Sequence, residues 1–474
     1  MGTADFPHGD VWDMFKLILS VPHPSGGEHE LVRVLAGEAE KRGLQVKTDD
    51  FGNLRIDRPA SAGFEDEPVV IMQGHLDMVC EKTPESDFDF EHEGIRTMVS
   101  EDGFIHACGT TLGADNGIGS AMALAMLFDE NYCGRAIAGV FTREEETGLS
   151  GASNLANDMV AGKYLINLDS DRENNFCVGC AGGARLSVSS AVPLVPAADG
   201  YCVEISVSGL PGGHSGCEIA AKHGNALIFL ARILDRMQVD VVDIFCHNAD
   251  NVIPSSAKAC VISQESPETI ANICCSMVEE YKKELASGIE VEVDVISSSR
   301  YANMWESGWR KKMISAMTHL PNGVLEFAPE FNVPRTSSNF ASAKVVDGIL
   351  ELHFSQRSLD NAERANATQS VMDAFDGIDC KKVVSKEYSG WKPAKEAHIN
   401  QVASAVWQKL YGITPELHVI HAGLEAGILS MKNPELELIS FGPTAYDIHS
   451  VKERLEIASV DRVYKFLREL VREL

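Results

Sequence analysis

The chain has 474 residues, too many for one ordinary hydrophobic core and enough for two domains. It is 45% hydrophobic and 23% charged, as soluble globular proteins are, and its formal net charge of −28 argues against nucleic acid or anionic membrane as a partner. Twelve cysteines are scattered without the density of a secreted disulfide scaffold, which points to a cytoplasmic protein with reduced thiols.

The opening "MGTADFPHGDVWDMFKL" has no basic segment followed by an apolar core, so no signal peptide is expected. "MGTADF" begins like a myristoylation signal, but Phe6 stands where Ser or Thr is required. No apolar run reaches the roughly 18 residues of a membrane span. "PVVIMQGHLDMV", "GRAIAGVF" and "KYLINLD" each contain an unbroken apolar run, which predicts strands buried on both faces of a largely parallel sheet. Between the first two, Asp115 to Asn131 is rich in Ala, Met and Leu and reads as a helix packed on that sheet. Cys177 and Cys180 form a lone C-x-x-C; with no second pair to complete a zinc knuckle, they read as buried small residues.

After about residue 186 the pattern changes. "ARLSVSSAVPLV", "YCVEISVSGL" and "GIEVEVDVISSSR" alternate apolar and polar residues, as half-exposed antiparallel strands do. "HGNALIFLARILDRM" has a helical apolar face, and "GILELHFSQRSLD" reads as another strand. Near "YSGWKPAKEAHINQVASAVWQKLYG" the α/β pattern returns, with a helix and then the run "ELELISFGP". The whole predicts an α/β domain with a mixed, largely parallel sheet in two pieces, 1–186 and 388–474, interrupted by an α+β domain over 187–387 that is lid-like.

Three consecutive glutamates, Glu144, Glu145 and Glu146, close the second apolar run. Like charges this close repel and raise one another's pKa, and a nearby cation would relieve them. His75 and Asp77 follow the first run, Asp169 the third, and His449 the last. Ligands of open α/β sheets bind beyond the carboxyl ends of strands, so these groups can converge on one sheet edge. Residues i and i+2 of a strand share a side, which lets His75 and Asp77 face one site together. Asp115, opening the helix, can offer oxygen outward. Two histidines and three carboxylates form a mixed N/O shell suited to borderline divalent ions, and five ligands suit two metals sharing a carboxylate. Asp77 and one glutamate are then left as orienter and base. Each piece alone has an ordinary reading: a satisfied strand histidine, a solvated acidic face, a helix cap.

Taken together, "SVPHPSGGEHELVRVL", "DDFGNLRI", "QGHLDMVCEK", "GTTLGADNGIG", "EEETGLSGA", "LINLDSD", "GCAGG", "GLPGGHSGCEI", "NVIP", "YSGWKP", "HAGLEAG" and "SFGPTAYDIHS" resemble the aminoacyl-histidine dipeptidases, also called Xaa-His or cytosolic non-specific dipeptidases, among the two-zinc aminopeptidase- and carboxypeptidase-like hydrolases. The resemblance spans essentially the whole chain. It implies a zinc-peptidase-like catalytic domain with a lid and dimerisation domain inserted. It implies that Asp115 bridges two Zn2+ ions per subunit, which Mn2+ or Co2+ can replace, with His75 and Asp169 completing one site and Glu146 and His449 the other. Asp77 would brace His75, and Glu145 would be the general base acting on a metal-bridging water. His214, in "GGHSG", would donate to the oxyanion from within a homodimer. Asn251, Arg357 and Gly423 would contact the dipeptide, Glu425 would meet its amino terminus, and the peptide bond after Asp115 would be cis. The implied activity is hydrolysis of unblocked dipeptides, including Xaa-His and β-alanyl-histidine. The same ligands would also serve an N-acyl amino acid deacylase, a carboxypeptidase, or a non-catalytic binding protein on a hydrolase fold. Tyr446 and Asp447 depart from the smaller residues of relatives beside His449, which bears on side-chain preference.

Overall fold

The computed structural model describes residues 6–299 and 301–474. The myristoylation-like opening at 1–5 lies outside the described residues. Two compact units are present. The first is built from residues up to 179 together with 393–419 and 424–474, and the second from 180–392 and 420–423.

The first unit carries an eight-stranded sheet. In chain order its strands are β1 (Gln45–Thr48), β2 (Leu54–Arg58), β3 (Val70–His75), β4 (Ile137–Thr142), β5 (Tyr164–Asn167), β6 (Asn175–Cys180), β7 (Glu416–Ile420) and β8 (Glu437–Ser440). Their spatial order is β1-β2-β4-β3-β5-β8-β6-β7. The four central strands, β4, β3, β5 and β8, pair in parallel, while β1·β2, β2·β4 and β8·β6 are antiparallel. The sheet is therefore mixed, with its parallel part at the centre. Every residue of β3, β4 and β5 is buried, as their unbroken apolar runs require.

The helix Ala114–Phe128 settles on this sheet at close range. A Cβ on Gly74 would lie 2.2 Å from Asn116 Oδ1, and one on Gly119 would lie 2.1 Å from the Leu168 carbonyl oxygen. The two glycines thus set how near the helix comes to β3 and to the turn after β5. Elsewhere in this core Phe176 stacks on Phe466 with centroids 5.1 Å apart, and Trp407 and Phe441 pack edge-on against Phe466.

In the second unit a nine-stranded sheet is assembled from antiparallel pairs, among them Gly182–Ala191 with Ile349–Ser358 and Tyr201–Ser208 with Ala257–Ser263. Burial alternates along Tyr201–Ser208, as its sequence predicts. The helix Ala226–Met237 is capped by Asn225, whose side chain accepts from the amides of Leu227 and Ile228. Its Phe229 stacks on Tyr281 at 4.2 Å, and Phe340 stacks on Phe354 at 4.5 Å.

Phe466 is wholly buried among three aromatic neighbours. Phe466→Ala is expected to cost about 3–5 kcal/mol of stability by chemical denaturation. A loss below about 1 kcal/mol would contradict this packing.

Candidate active site

His75 is the last residue of β3. Its Nδ1 donates to the Asp77 carbonyl oxygen at 2.9 Å, and Asp77 Oδ1 lies 3.4 Å away. That bond turns Nε2 toward Asp115 Oδ1 at 3.1 Å and Asp169 Oδ1 at 3.5 Å. His449 lies in the loop between the short strands Ala445–Tyr446 and Arg454–Glu456. Its Nε2 is 3.2 Å from Asp115 Oδ2 and 3.0 Å from Glu146 Oε1. Asp115 thus gives one oxygen to each histidine, and the donors divide into two halves that share it. Ligand atoms of His75, Asp115 and Glu146 lie within 4.8 Å of one another.

The backbone serves this arrangement. The Asp115–Asn116 peptide is cis. Asp115 and Asn116 have non-helical φ/ψ, so the helical opening expected at Asp115 is interrupted there. Asn116 Nδ2 donates to the Leu168 carbonyl at 2.6 Å and to Asp169 Oδ1 at 2.7 Å, which holds the Asp115 segment against the Asp169 turn. The three glutamates are fixed by other carboxylates. Asp77 accepts from the amides of Glu145 and Glu146 at 2.9 and 3.1 Å and from Ser25 Oγ at 2.7 Å. Buried Glu28 accepts from the Glu144 amide at 3.0 Å and pairs with Arg143 at 2.8 Å. Glu144 takes a left-handed backbone, φ 52°.

Burial of the acids pulls against the pairing of acids with histidines. Burial raises Asp77, but its bonds to His75, Ser25 and the Glu145 amide outweigh that and hold it down to about 2. Burial likewise opposes Asp115, yet the two histidines keep it well below the usual carboxylate range. Burial pushes Asp169 up to about 7 against the pull of His75, with Asp115 adding to the push. Burial raises Glu145 well above its ordinary value. His449 is raised to about 10 by Asp115 and Glu146. Burial lowers His75, but Asp169, Asp115 and Asp77 more than reverse it.

Glu425 is wholly buried and also raised by burial. Its Oε2 accepts from Gln73 Nε2 at 2.6 Å and Thr142 Oγ1 at 2.7 Å. The glutamate of "HAGLEAG" is therefore tied to the strands that carry His75 and lead to Glu145.

On the second unit, the "GGHSG" and "NVIP" segments pair. The Ser215 amide donates to the Asn251 carbonyl at 2.7 Å, and the Ile253 amide to the Gly213 carbonyl at 2.8 Å. His214 Nδ1 accepts from the amides of Gly216 and Cys217, each at 3.2 Å. This fixes the proton on Nε2 of the neutral ring, and burial followed by the Arg357 charge lowers its pKa. Arg357 is buried, donates from Nη1 to Tyr388 Oη at 2.8 Å, and has no acidic ion-pair partner among the described residues. Its Nε is buried without a hydrogen bond. A Cβ on Gly423 would lie 2.6 Å from the Tyr388 ring, so that position cannot carry a side chain without moving Tyr388. His421, bonded to Ser337 Oγ at 2.7 Å, is held neutral, its pKa lowered to about 3 by burial and then by Arg357.

Residues 71–473 match the model of Peptidase family M20/M25/M40. The cytosol non-specific dipeptidase of Escherichia coli (strain K12) is 32% identical over 475 residues, 98% of this chain and 97% of that protein. The crystal structure of aminoacylhistidine dipeptidase from Vibrio alginolyticus superposes with a TM-score of 0.90 at 30% identity, covering 98% of this chain and 96% of that one. Aminopeptidase PepT from Bacillus cereus shares the fold, with a TM-score of 0.62 at 18% identity over 98% of both chains. The chain belongs to the M20/M25/M40 peptidases.

Members of this family are metal-dependent hydrolases, typically dinuclear, and the residues of this M20 peptidase fit such ions. The acids Asp115, Glu145, Glu146 and Asp169 have no Lys or Arg partner among the described residues. Glu146 Oε1 is buried and accepts no hydrogen bond, although His449 Nε2 is 3.0 Å away. With Nδ1 of His75 donating, the Nε2 lone pair of the neutral ring is aimed at carboxylate oxygens, which favours a proton or a cation between them. The sequence offers little sign of several supporting residues. Glu28, Glu453, Gln73 and Thr142 read as surface or strand positions, while Tyr388 and His421 lie inside "YSGWKP" and "HAGLEAG" without a role of their own.

Asp77→Asn leaves only one acceptor oxygen for the Glu145 and Glu146 amides. Zinc affinity, read by competition with a chromophoric chelator, is expected to fall about 10–100-fold. Unchanged affinity would show that Asp77 does not organise this site.

Proposed function

We propose that this M20 peptidase is a dipeptidase that hydrolyses unblocked dipeptides, among them Xaa-His dipeptides and β-alanyl-histidine. The observation that carries the reading is Asp115, whose two carboxylate oxygens face two different histidines. His75, Asp169 and Asp115 would hold one Zn2+ ion, and His449, Glu146 and Asp115 a second, with Mn2+ or Co2+ able to substitute. Bound there, the ions supply Lewis-acid polarisation of the scissile carbonyl and an acidified water.

The protein's own groups do the rest. Asp77 fixes the Glu145 amide, and the Glu145 carboxylate makes no hydrogen bond among the described residues. It is the general base, taking the proton of the attacking water and returning it to the leaving amine. His214, locked as the Nε2–H tautomer, donates to the developing oxyanion. Arg357, a buried guanidinium without an acidic partner among the described residues, receives the substrate's C-terminal carboxylate, and Tyr388 holds it in place. Asn251 and the Gly423 backbone complete the substrate contacts. The second unit is the lid and the dimerisation domain of a homodimer.

The names of the Escherichia coli and Vibrio alginolyticus relatives support this substrate class, and that of the Escherichia coli relative supports a cytoplasmic location. No helix among the described residues is long and apolar enough to cross a membrane, and the net charge of −28 disfavours nucleic acid.

A panel of free and N-acetylated dipeptides tests the reading, assayed before and after chelation and return of zinc or manganese. Metal-restored cleavage of the free dipeptides alone is expected; cleavage of the blocked ones would move the chain to deacylase chemistry. Glu145→Gln is expected to keep its zinc while kcat falls by about 10²–10⁴. Normal turnover in that variant would remove Glu145 as the base. Arg357→Met should cost about 2–5 kcal/mol in kcat/KM for free dipeptides. A dipeptide amide lacking the terminal carboxylate should feel that substitution far less.

A further inference from the structure

Glu453 is buried four residues after His449, and its carboxylate reaches the segment that carries Asp115. Its Oε2 accepts from the amides of Leu112 at 2.6 Å and Gly113 at 3.0 Å, and its Oε1 from those of Ala114 at 2.8 Å and Asp115 at 3.4 Å. A local helix cap accepts from one or two amides a few residues away. Here four successive amides are taken by a side chain 341 residues further along the chain from the first of them. These residues precede or open the helix Ala114–Phe128, so no helical carbonyl is available to their amides.

The other end of the link is equally firm. The loop 447–453 is clamped by Arg454 Nη1 donating to Asp447 Oδ2 at 2.6 Å and by Ser450 Oγ donating to the Asp447 carbonyl at 2.7 Å. The Glu453 amide donates to the Ser450 carbonyl at 3.0 Å. Arg454 pairs with His106 across the neighbouring strand Phe104–Ala107. His449 therefore rides on a loop closed by these bonds and fastened to the Asp115 segment through one carboxylate. The other half of the site is held differently: His75 ends a central strand, and Asn116 ties Asp169 to the turn after β5.

We propose that Glu453 is a positioning residue that holds His449 in register with Asp115, and so sets the metal affinity of the His449–Glu146 half of the site rather than the His75–Asp169 half. This rests on the two-metal reading above. In Glu453→Gln one oxygen remains to accept and an amide group is turned toward two backbone donors.

The test is a Zn2+ titration of chelator-stripped protein against a competing chromophoric chelator, with circular dichroism to confirm folding. Wild type is expected to take two equivalents. Glu453→Gln should keep one at wild-type affinity and bind the second about 10–100-fold more weakly. Glu453→Asp, which keeps the charge but shortens the reach, should act in the same direction and serves if the Gln variant fails to fold. Asp360→Asn is the structural control: it removes a carboxylate that accepts from the Ala362 and Glu363 amides in the second unit, and should keep both equivalents. Two wild-type affinities in folded Glu453→Gln, or equal weakening of both, would overturn the proposal. Fewer than two equivalents in wild type would instead overturn the two-metal reading, and the proposal with it.

Discussion

Everything at the sheet edge depends on one electrostatic constraint: several buried and half-buried carboxylates stand together, and among the described residues histidines are the only cationic side chains paired with them. Asp115 sits between His75 and His449, one oxygen to each. Glu145, Glu146 and Asp169 crowd in without a lysine or arginine among their described partners. Burying carboxylates carries a large desolvation cost unless a cation compensates. Divalent ions would meet that need, which suits acids rather than amides at these positions.

The fold satisfies the constraint by using strand ends. β3, β4 and β5 run in parallel, so the chain leaves all three at the same edge, and His75, the glutamate run and Asp169 emerge there. Further carboxylates are spent on backbone amides: Asp77 and Glu28 fix the glutamate run, and Glu453 fixes the Asp115 segment. The second unit carries the opposite deficit. Arg357 is buried with a tyrosine for company and no acidic partner among the described residues. A zwitterionic peptide offers the anion that such a guanidinium lacks, which is the physical basis for assigning Arg357 to the substrate carboxylate.

How much of this was legible in the sequence follows from the range of each interaction. The central strands could be read because strands covered on both faces are apolar throughout. The acids and histidines after them were visible because each follows its strand within a few residues. Composition does not show the non-helical backbone at Asp115, since the Ala-, Met- and Leu-rich sequence beyond it reads as uninterrupted helix; the family resemblance does mark that place, through the cis peptide that it implies and the structure has. Glu453 was hidden for a different reason: its partners are Leu112 to Asp115, and no local pattern marks a carboxylate destined for amides so distant. Tyr388 opens "YSGWKP" with no role marked by the sequence, and its bond to Arg357 exists only in three dimensions. The return of 420–423 to the second unit has no compositional sign.

On the reading proposed above, Asp115 would be shared by two ions, one held with His75 and Asp169 and the other with His449 and Glu146. Anomalous diffraction at the zinc absorption edge, from crystals of zinc-loaded protein, tests it most directly. The account predicts two anomalous peaks flanking the Asp115 carboxylate, each within ligand distance of one histidine. A single peak at full loading, or two peaks of which either lacks an Asp115 oxygen, would contradict it.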